Sequence, residues 1–132
     1  MNGDEIEKFL DRSNKFAVVG ASRDPKKYGH RVYKDLKEAG YRVYPVNPGT
    51  EEILGDRCFP DLESLPSLPD VVDTVVPPKV TEDVVRTCQR LGIKMVWMQP
   101  GSESRNAIEF CETNRINVVH SVCIMVKRIE KP

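Results

Sequence analysis

The stretch Phe16-Ala17-Val18-Val19-Gly20-Ala21-Ser22-Arg23-Asp24-Pro25-Lys26-Lys27-Tyr28-Gly29 decides the fold of this chain. Its first four residues are continuously apolar, as in a central parallel strand that is covered on both faces. Gly20 and Ser22 then place small residues where the chain must turn sharply. A helix that begins near Tyr28 would direct its free amides and its positive dipole end toward that turn. The stretch therefore predicts a strand, a loop of the size that holds an anion, and a helix.

Positive side chains lie in the same loop. Arg23, Lys26 and Lys27 follow the predicted turn, and cationic side chains at such a place favour a phosphate over a neutral ligand. The alternative is an ordinary strand-to-helix connection with solvated charges, and this segment alone leaves both interpretations open.

Length and composition limit the classes of protein that the chain can belong to. At 132 residues, with 20 basic and 20 acidic side chains, we expect one domain over residues 1–132 with a leading helix within residues 1–13. The balanced charge gives no support for nucleic-acid or membrane binding. The polar, acidic start of the sequence does not resemble a signal peptide, and no apolar run approaches the length of a membrane span. We therefore expect a soluble, cytoplasmic protein.

The cysteines and histidines predict neither a metal site nor a catalytic centre. The four cysteines are widely spaced, with no Cys-x-x-Cys motif and no histidines interleaved at ligand spacing. We expect reduced thiols, and we expect His30 and His120 to be surface or packing residues. No carboxylate pair, nucleophile elbow or Cys-His arrangement has supporting spacing.

Strand and helix patterns alternate along the rest of the chain, which predicts parallel pairing through right-handed crossovers. The fold class is therefore α/β, a Rossmann-like doubly wound parallel sheet in three α/β/α layers. If a short strand at residues 57–59 is the third strand, the strand order is 3-2-1-4-5-6. The other predicted strands are residues 16–19, 41–46, 71–76, 94–98 and 117–119, and the predicted helices are residues 4–11, 28–39, 81–91 and 102 or 103 to 114.

Four loops should flank the crevice at the carboxyl edge of this sheet, where ligands of such folds bind. Every strand needs an exit turn, and that alone explains most of the Gly and Pro content of these loops. A dinucleotide site would show Gly-x-Gly-x-x-Gly and an acidic residue after the second strand. Here the first loop lacks that motif and Asn47-Pro48 follows the second strand, which disfavours NAD. A basic first loop and a non-acidic end of the second strand suit a ligand with a diphosphate and a further phosphate on its ribose.

Four ordered motifs carry a resemblance to a known family. They are Gly20-Ala21-Ser22, Tyr44-Pro45-Val46-Asn47-Pro48, Val76-Pro77-Pro78 and Trp97-Met98-Gln99-Pro100-Gly101. In this order and spacing they resemble the small stand-alone CoA-binding domain family, which is similar to the CoA-binding domain of succinyl-CoA synthetase and of ADP-forming acetyl-CoA synthetase. The resemblance extends from about residue 16 to residue 125.

The resemblance implies a site for coenzyme A and a place for each part of it. The phosphates would lie at the first loop, the adenosine beside Asn47 and Pro48, and the thiol end near Gln99 and Pro100. Val76, Pro77, Pro78 and Thr81 would line the wall along the nucleotide and pantetheine. The full set of residues expected at the site is Gly20, Ala21, Ser22, Arg23, Lys26, Lys27, Val46, Asn47, Pro48, Val76, Pro77, Pro78, Thr81, Gln99 and Pro100.

We interpret the chain as a binding module for CoA or acyl-CoA rather than an enzyme. It lacks the phosphorylated histidine and nucleotide-grasping domains of the ligases, so a ligase-type partner subunit is possible. The alternative is an NAD(P)-binding enzyme or redox regulator on the same fold.

Cys123 lies on the ligand side of the sheet. Two interpretations of it are a mixed disulfide with CoA and a buried inert thiol. Trp97 is expected in the core rather than against an adenine. The sequence offers no account of Asp73.

Overall fold

A computed structural model describes residues 3–130 and contains a five-stranded sheet with helices on both faces. All its strand pairs are parallel, in the order β2-β1-β5-β6-β7. The strands are β1 (Lys15–Val19), β2 (Arg42–Val46), β5 (Val71–Thr74), β6 (Met95–Met98) and β7 (Asn117–His120), and β3 (Glu52–Ile53) and β4 (Asp56–Arg57) form a separate hairpin. The predicted α/β class and doubly wound parallel sheet are confirmed.

Five helices cover the sheet, in two layers. They are α1 (Gly3–Phe9), α2 (Tyr28–Glu38), α3 (Pro78–Leu91), α4 (Arg105–Thr113) and α5 (Ile124–Glu130). The first, second and fifth helices pack on the face that carries Val18, Trp97 and Val119, and the third and fourth pack on the opposite face. The predicted leading helix is α1, and residues 1 and 2 lie outside the described residues.

The predicted third strand at residues 57–59 is wrong as a strand. The chain there turns back in the antiparallel β3–β4 hairpin, and only Phe59 reaches the sheet, through a single parallel bridge to Val46. Phe59 donates its amide to the carbonyl of Pro45 at 3.0 Å. The carbonyl and the nitrogen of one strand residue point to the same side, so the nitrogen of Pro45 also points away from β1, toward the outer edge of β2. A strand tolerates proline there, because no N–H is needed for pairing with the rest of the sheet. The bridge takes the edge position at which a short third strand was expected.

Three helix starts differ from the prediction, that of α1 by one residue, and one helix was not predicted. Pro78 is the first residue of α3, three residues before the predicted start at residue 81. Proline fits there because a first-turn residue needs no N–H donor. Ser104 caps α4 by accepting the amide of Ala107, so this helix begins at Arg105. The unpredicted α5 is tied to α2 by Arg128, which donates two hydrogen bonds of 2.7 and 2.8 Å to the Asp35 carboxylate.

Trp97 lies in the core, as predicted. It is fully buried, its ring meets that of Phe9 edge to face at 5.8 Å, and its indole N–H donates to the carbonyl of Val122 at 2.9 Å.

None of the helices within residues 3–130 combines the length and apolar composition needed to cross a membrane.

Candidate functional site

The loops that follow β1 and β2 form one body at the carboxyl edge of the sheet. The Asn47 side-chain amide donates to the carbonyl of Ala21 at 2.8 Å, and the Gly20 amide donates to the carbonyl of Val46 at 2.9 Å. Asn47 also accepts the amide of Gly49 at 2.8 Å. The structure therefore brings the first two predicted parts of the site into direct contact.

The first loop is also held from within. The Ser22 hydroxyl accepts the amide of Asp24 at 3.0 Å, and the Asp24 carboxylate accepts the amide of Lys26 at 3.0 Å. His30 contacts the carbonyl of Ser22 through Nδ1 at 2.8 Å. A carbonyl only accepts, so Nδ1 carries the proton. The buried His30 is thus a packing residue, as expected, and it fixes the loop conformation.

Close backbone approach explains two glycines at this loop. Gly20 has φ +99°, and a Cβ there would lie 2.1 Å from the carbonyl oxygen of Val75. A Cβ at Gly29, in the first turn of α2, would lie 2.0 Å from the carbonyl oxygen of Gly20. Because neither position has room for a methyl group, the loop after β1 packs backbone against backbone both on Val75, which follows β5, and on the first turn of α2.

The loop before α2 combines backbone donors that have no acceptor with exposed positive side chains. The backbone amides of Ala21, Ser22 and Arg23 have no acceptor within residues 3–130. The residue before α2 gives no side-chain cap, and the first turn contains no acidic residue. The exposed cations Arg23, Lys26 and Lys27 follow in the same loop. Free amides at a helix N-terminus, with cations beside them, form an anion-binding arrangement.

Two clefts lie at the same edge of the sheet. One, of about 210 Å³, lies between the ends of β1 and β2 and the flank of α3, and Val19, Val46, Pro48 and Val84 contribute to its lining. The other, of about 280 Å³, lies between the loops after β5 and β6. The residues that line this second cleft are Val75, Val76, Pro77, Pro100, Gly101 and Ser102.

Four of the predicted site residues lie below the surface, and Val46 is one of them. Ala21, Thr81 and Gln99 are fully buried. The Thr81 hydroxyl has no hydrogen-bond partner among the described residues. The Gln99 side chain contacts protein groups instead of solvent, since its carbonyl accepts the amide of Ile124 at 3.0 Å. These residues shape the crevice from beneath, whereas the loop cations, Pro48, Pro77 and Pro100 lie at its surface.

Gln99 belongs to a thiol cluster, which we define as Tyr28, Asp73, Gln99 and Cys123. The Tyr28 hydroxyl donates to Sγ of Cys123 at 2.8 Å, and Nε2 of Gln99 lies 2.6 Å from the Tyr28 hydroxyl and 3.4 Å from the same sulfur. Burial raises the pKa of the Cys123 thiol, but hydrogen bonds from Tyr28, from Gln99 and from two amides of α5 outweigh it, so its pKa lies below the ordinary value.

Asp73 is the fourth member of the thiol cluster. It shares a cross-strand row with Val18 and Trp97, so its side chain points to the face that α2 and α5 cover. It is fully buried, and neither carboxyl oxygen has a hydrogen-bond partner within the described chain. Burial raises its pKa well above the ordinary value, and negative charge on Cys123 raises it further. The surroundings of Asp73 therefore favour its neutral carboxyl form.

Sequence reasoning missed the roles of Tyr28 and Asp73. Tyr28 and Cys123 are 95 positions apart, and only the topology brings the start of α2 next to the start of α5. Asp73 interrupts an apolar strand, and that interruption was the one signal that a buried polar group lies at this position.

Known proteins resemble this chain over most of its length. A family model described as a CoA binding domain matches residues 14–128. Uncharacterized protein YneT of Bacillus subtilis is 30% identical over 122 residues, which cover 92% of this chain and 90% of YneT. The solved structure of a hypothetical protein from Pyrococcus horikoshii OT3 has a TM-score of 0.93 at 36% identity, and the match covers 98% of this chain and 92% of that one.

One relative is much longer. The acetate–CoA ligase [ADP-forming] II subunit alpha of Pyrococcus furiosus is 42% identical over 81 residues, which cover 61% of this chain. The match covers 18% of the ligase subunit, so most of that subunit has no counterpart here.

Proposed function

Since the chain belongs to the CoA-binding domain family, we propose that it binds CoA or acyl-CoA in the crevice at the carboxyl edge of its sheet. The observation that carries this proposal is the first loop, in which unpaired amides, an uncapped helix start and three exposed cations converge. A CoA diphosphate and its ribose phosphate match that combination of directed donors and positive charge.

The diphosphate would bind at residues Gly20, Ala21, Ser22 and Arg23. The amides supply directed hydrogen bonds, and the guanidinium of Arg23 supplies a charge-assisted contact. Lys26 and Lys27 would reach a further phosphate. The hydrogen bonds around Ser22, Asp24 and Asn47 support this placement, because they fix the conformation of the loop without a ligand.

The adenosine would lie against Val46, Asn47 and Pro48. The cleft of about 210 Å³ beside them supports this placement, because apolar side chains from β1, β2, α3 and residues 60–62 contribute to its lining, with three carboxylates among them. Pantetheine would then run along Val76, Pro77 and Pro78 into the cleft of about 280 Å³ that also contains Pro100. The thiol of pantetheine would end near Gln99.

A ligase-type partner subunit that uses the bound CoA remains a prediction.

A thermal-shift panel tests the proposed ligand. We expect CoA and acetyl-CoA to raise the melting temperature in the presence of a reductant, because a ligand that binds only the native state stabilises it. NAD, NADP and ADP at the same concentration should give no shift of comparable size. A shift with NAD or NADP and none with CoA would contradict the proposal and favour the dinucleotide alternative.

Arg23 is the side chain whose loss should weaken CoA binding most selectively. We expect Arg23→Ala to raise the dissociation constant about 10- to 100-fold, the range expected for one charge-assisted hydrogen bond. Isothermal titration calorimetry measures the change. Arg42→Ala is the matched control, because Arg42 is also exposed but begins β2, at the opposite edge of the sheet. Equal affinities of the two variants would remove Arg23 from the site.

A further inference from the structure

We propose that Cys123 is a nucleophilic thiol that forms a mixed disulfide with CoA bound in the crevice, by exchange with a disulfide form of CoA. This inference rests on the proposed function and adds a covalent step to it. The residues that carry it are the four members of the thiol cluster, which come from α2, β5, the loop after β6 and the loop before α5.

Cys123 differs from the other three cysteines in both access and surroundings. Cys58, Cys88 and Cys111 are buried, whereas Cys123 is partly exposed. Burial raises the pKa of the Cys88 and Cys111 thiols to about 12, which keeps both protonated and unreactive. Cys123 instead lies within hydrogen-bond distance of the Tyr28 hydroxyl and the Gln99 amide. Donors placed around a sulfur stabilise the thiolate, which is the species that attacks disulfides.

Asp73 gives a second, independent indication that the cluster serves a ligand. Its carboxyl group is completely buried on the sheet face that Tyr28 and Cys123 share, and both oxygens lack a partner within residues 3–130. A buried carboxyl without partners destabilises a fold, so its presence calls for an explanation other than stability. Burial favours the neutral form of the Asp73 carboxyl group, and a neutral carboxyl group does not repel a thiolate at Cys123.

The position of the cluster matches the proposed path of CoA. Tyr28 is the first residue of α2, directly after the loop proposed for the diphosphate, and Gln99 directly follows β6 beside the cleft proposed for pantetheine. A CoA molecule that spans these two loops would bring its sulfur to the same edge of the sheet as Cys123. The surrounding site would then raise the local concentration of the reacting disulfide.

The exchange step is balanced as follows. The Cys123 thiolate attacks one sulfur of CoA disulfide, and a new S–S bond joins Cys123 to one CoA. The S–S bond of the reagent breaks, and the second CoA leaves as a thiolate that takes up a proton from water. CoA disulfide is the oxidant, and a dithiol reductant reverses the step.

Intact-protein mass spectrometry tests the inference. Incubation with CoA disulfide at pH 7 should add one CoA to the protein, dithiothreitol should remove it, and Cys123→Ser should not form it. Glutathione disulfide, which lacks the nucleotide, should react at a rate at least about tenfold lower. No adduct, an adduct on another cysteine, or equal rates with the two disulfides would overturn the inference.

Two further variants separate reactivity from folding and from CoA binding. Tyr28→Phe removes one donor to the sulfur and should slow the exchange about tenfold, whereas Tyr44→Phe, whose hydroxyl contacts Ser67, should leave the rate unchanged. Calorimetry of Cys123→Ser with reduced CoA tests the proposed function alone. If that variant binds CoA and the native protein forms no adduct, the inference fails and the proposed function stands.

Discussion

Replacing Gly29 by alanine is expected to lower the free energy of unfolding by about 3 kcal/mol or more. The new Cβ would lie 2.0 Å from the carbonyl oxygen of Gly20 and 3.0 Å from its carbonyl carbon. Both are backbone atoms of the first loop, so α2 must move away from β1 to make room. Alanine has the better helix propensity by about 1 kcal/mol, but this gain is smaller than the effect of moving a packed helix.

Urea denaturation of the Gly29→Ala variant measures this change, and Gly49→Ala is its matched control. Neither glycine has a positive φ, and a Cβ at Gly49 would meet its nearest neighbour, Oδ1 of Asn47, at an ordinary 3.6 Å. The control should therefore stay within about 0.5 kcal/mol of the native protein. A Gly29→Ala protein with native stability would show that the close approach of α2 to the loop is not needed for the fold.

Replacing Asp73 by asparagine is expected to stabilise the protein at neutral pH. Burial raises the folded-state pKa of Asp73 well above that of the unfolded chain. Between these two pKa values the folded state holds a proton that the unfolded state has lost, so the stability of the native protein falls as the pH rises. Asparagine does not ionise in this range, so the free energy of unfolding of the variant does not fall with pH for this reason.

The free-energy difference between Asp73→Asn and the native protein should grow by about 1.4 kcal/mol for each pH unit above about 4, up to the folded-state pKa. Urea denaturation at pH 4, 5, 6 and 7 measures it. Asp83→Asn, at an exposed position paired with Arg86, is the control and should add no such slope. A variant less stable than the native protein at pH 7 would mean that Asp73 is ionised and paired.

Local sequence patterns predicted most of the fold because its strands and helices bury regular stripes. The continuous apolar run at residues 16–19 and the spaced apolar positions of α2 are local signals, and both elements appear where predicted. The pattern fails where tertiary pairing decides. Whether Phe59 makes a full strand or a single bridge depends on the neighbouring hairpin. The helix α5 begins with three consecutive apolar residues, and such a short run does not distinguish a helix from a strand.

The candidate site divides in the same way. Strand-end loops converge at one edge in any sheet of this topology, so the loops around Gly20, Asn47, Pro77 and Gln99 followed from the element order. The contact between Tyr28 and Cys123 crosses 95 positions of sequence, and the isolation of the Asp73 carboxyl depends on every neighbour that surrounds it. No local pattern encodes such contacts.

The hydrogen bond from Asn47 to Ala21 has a consequence for the speed of recognition. It joins two loops that a nucleotide would otherwise have to bring together, so their conformational freedom is lost during folding and not during the encounter. The association rate constant should therefore be set by diffusion and by the attraction of the loop cations for a polyanion, without a slow closing step. The rate constant should fall as added salt screens those charges.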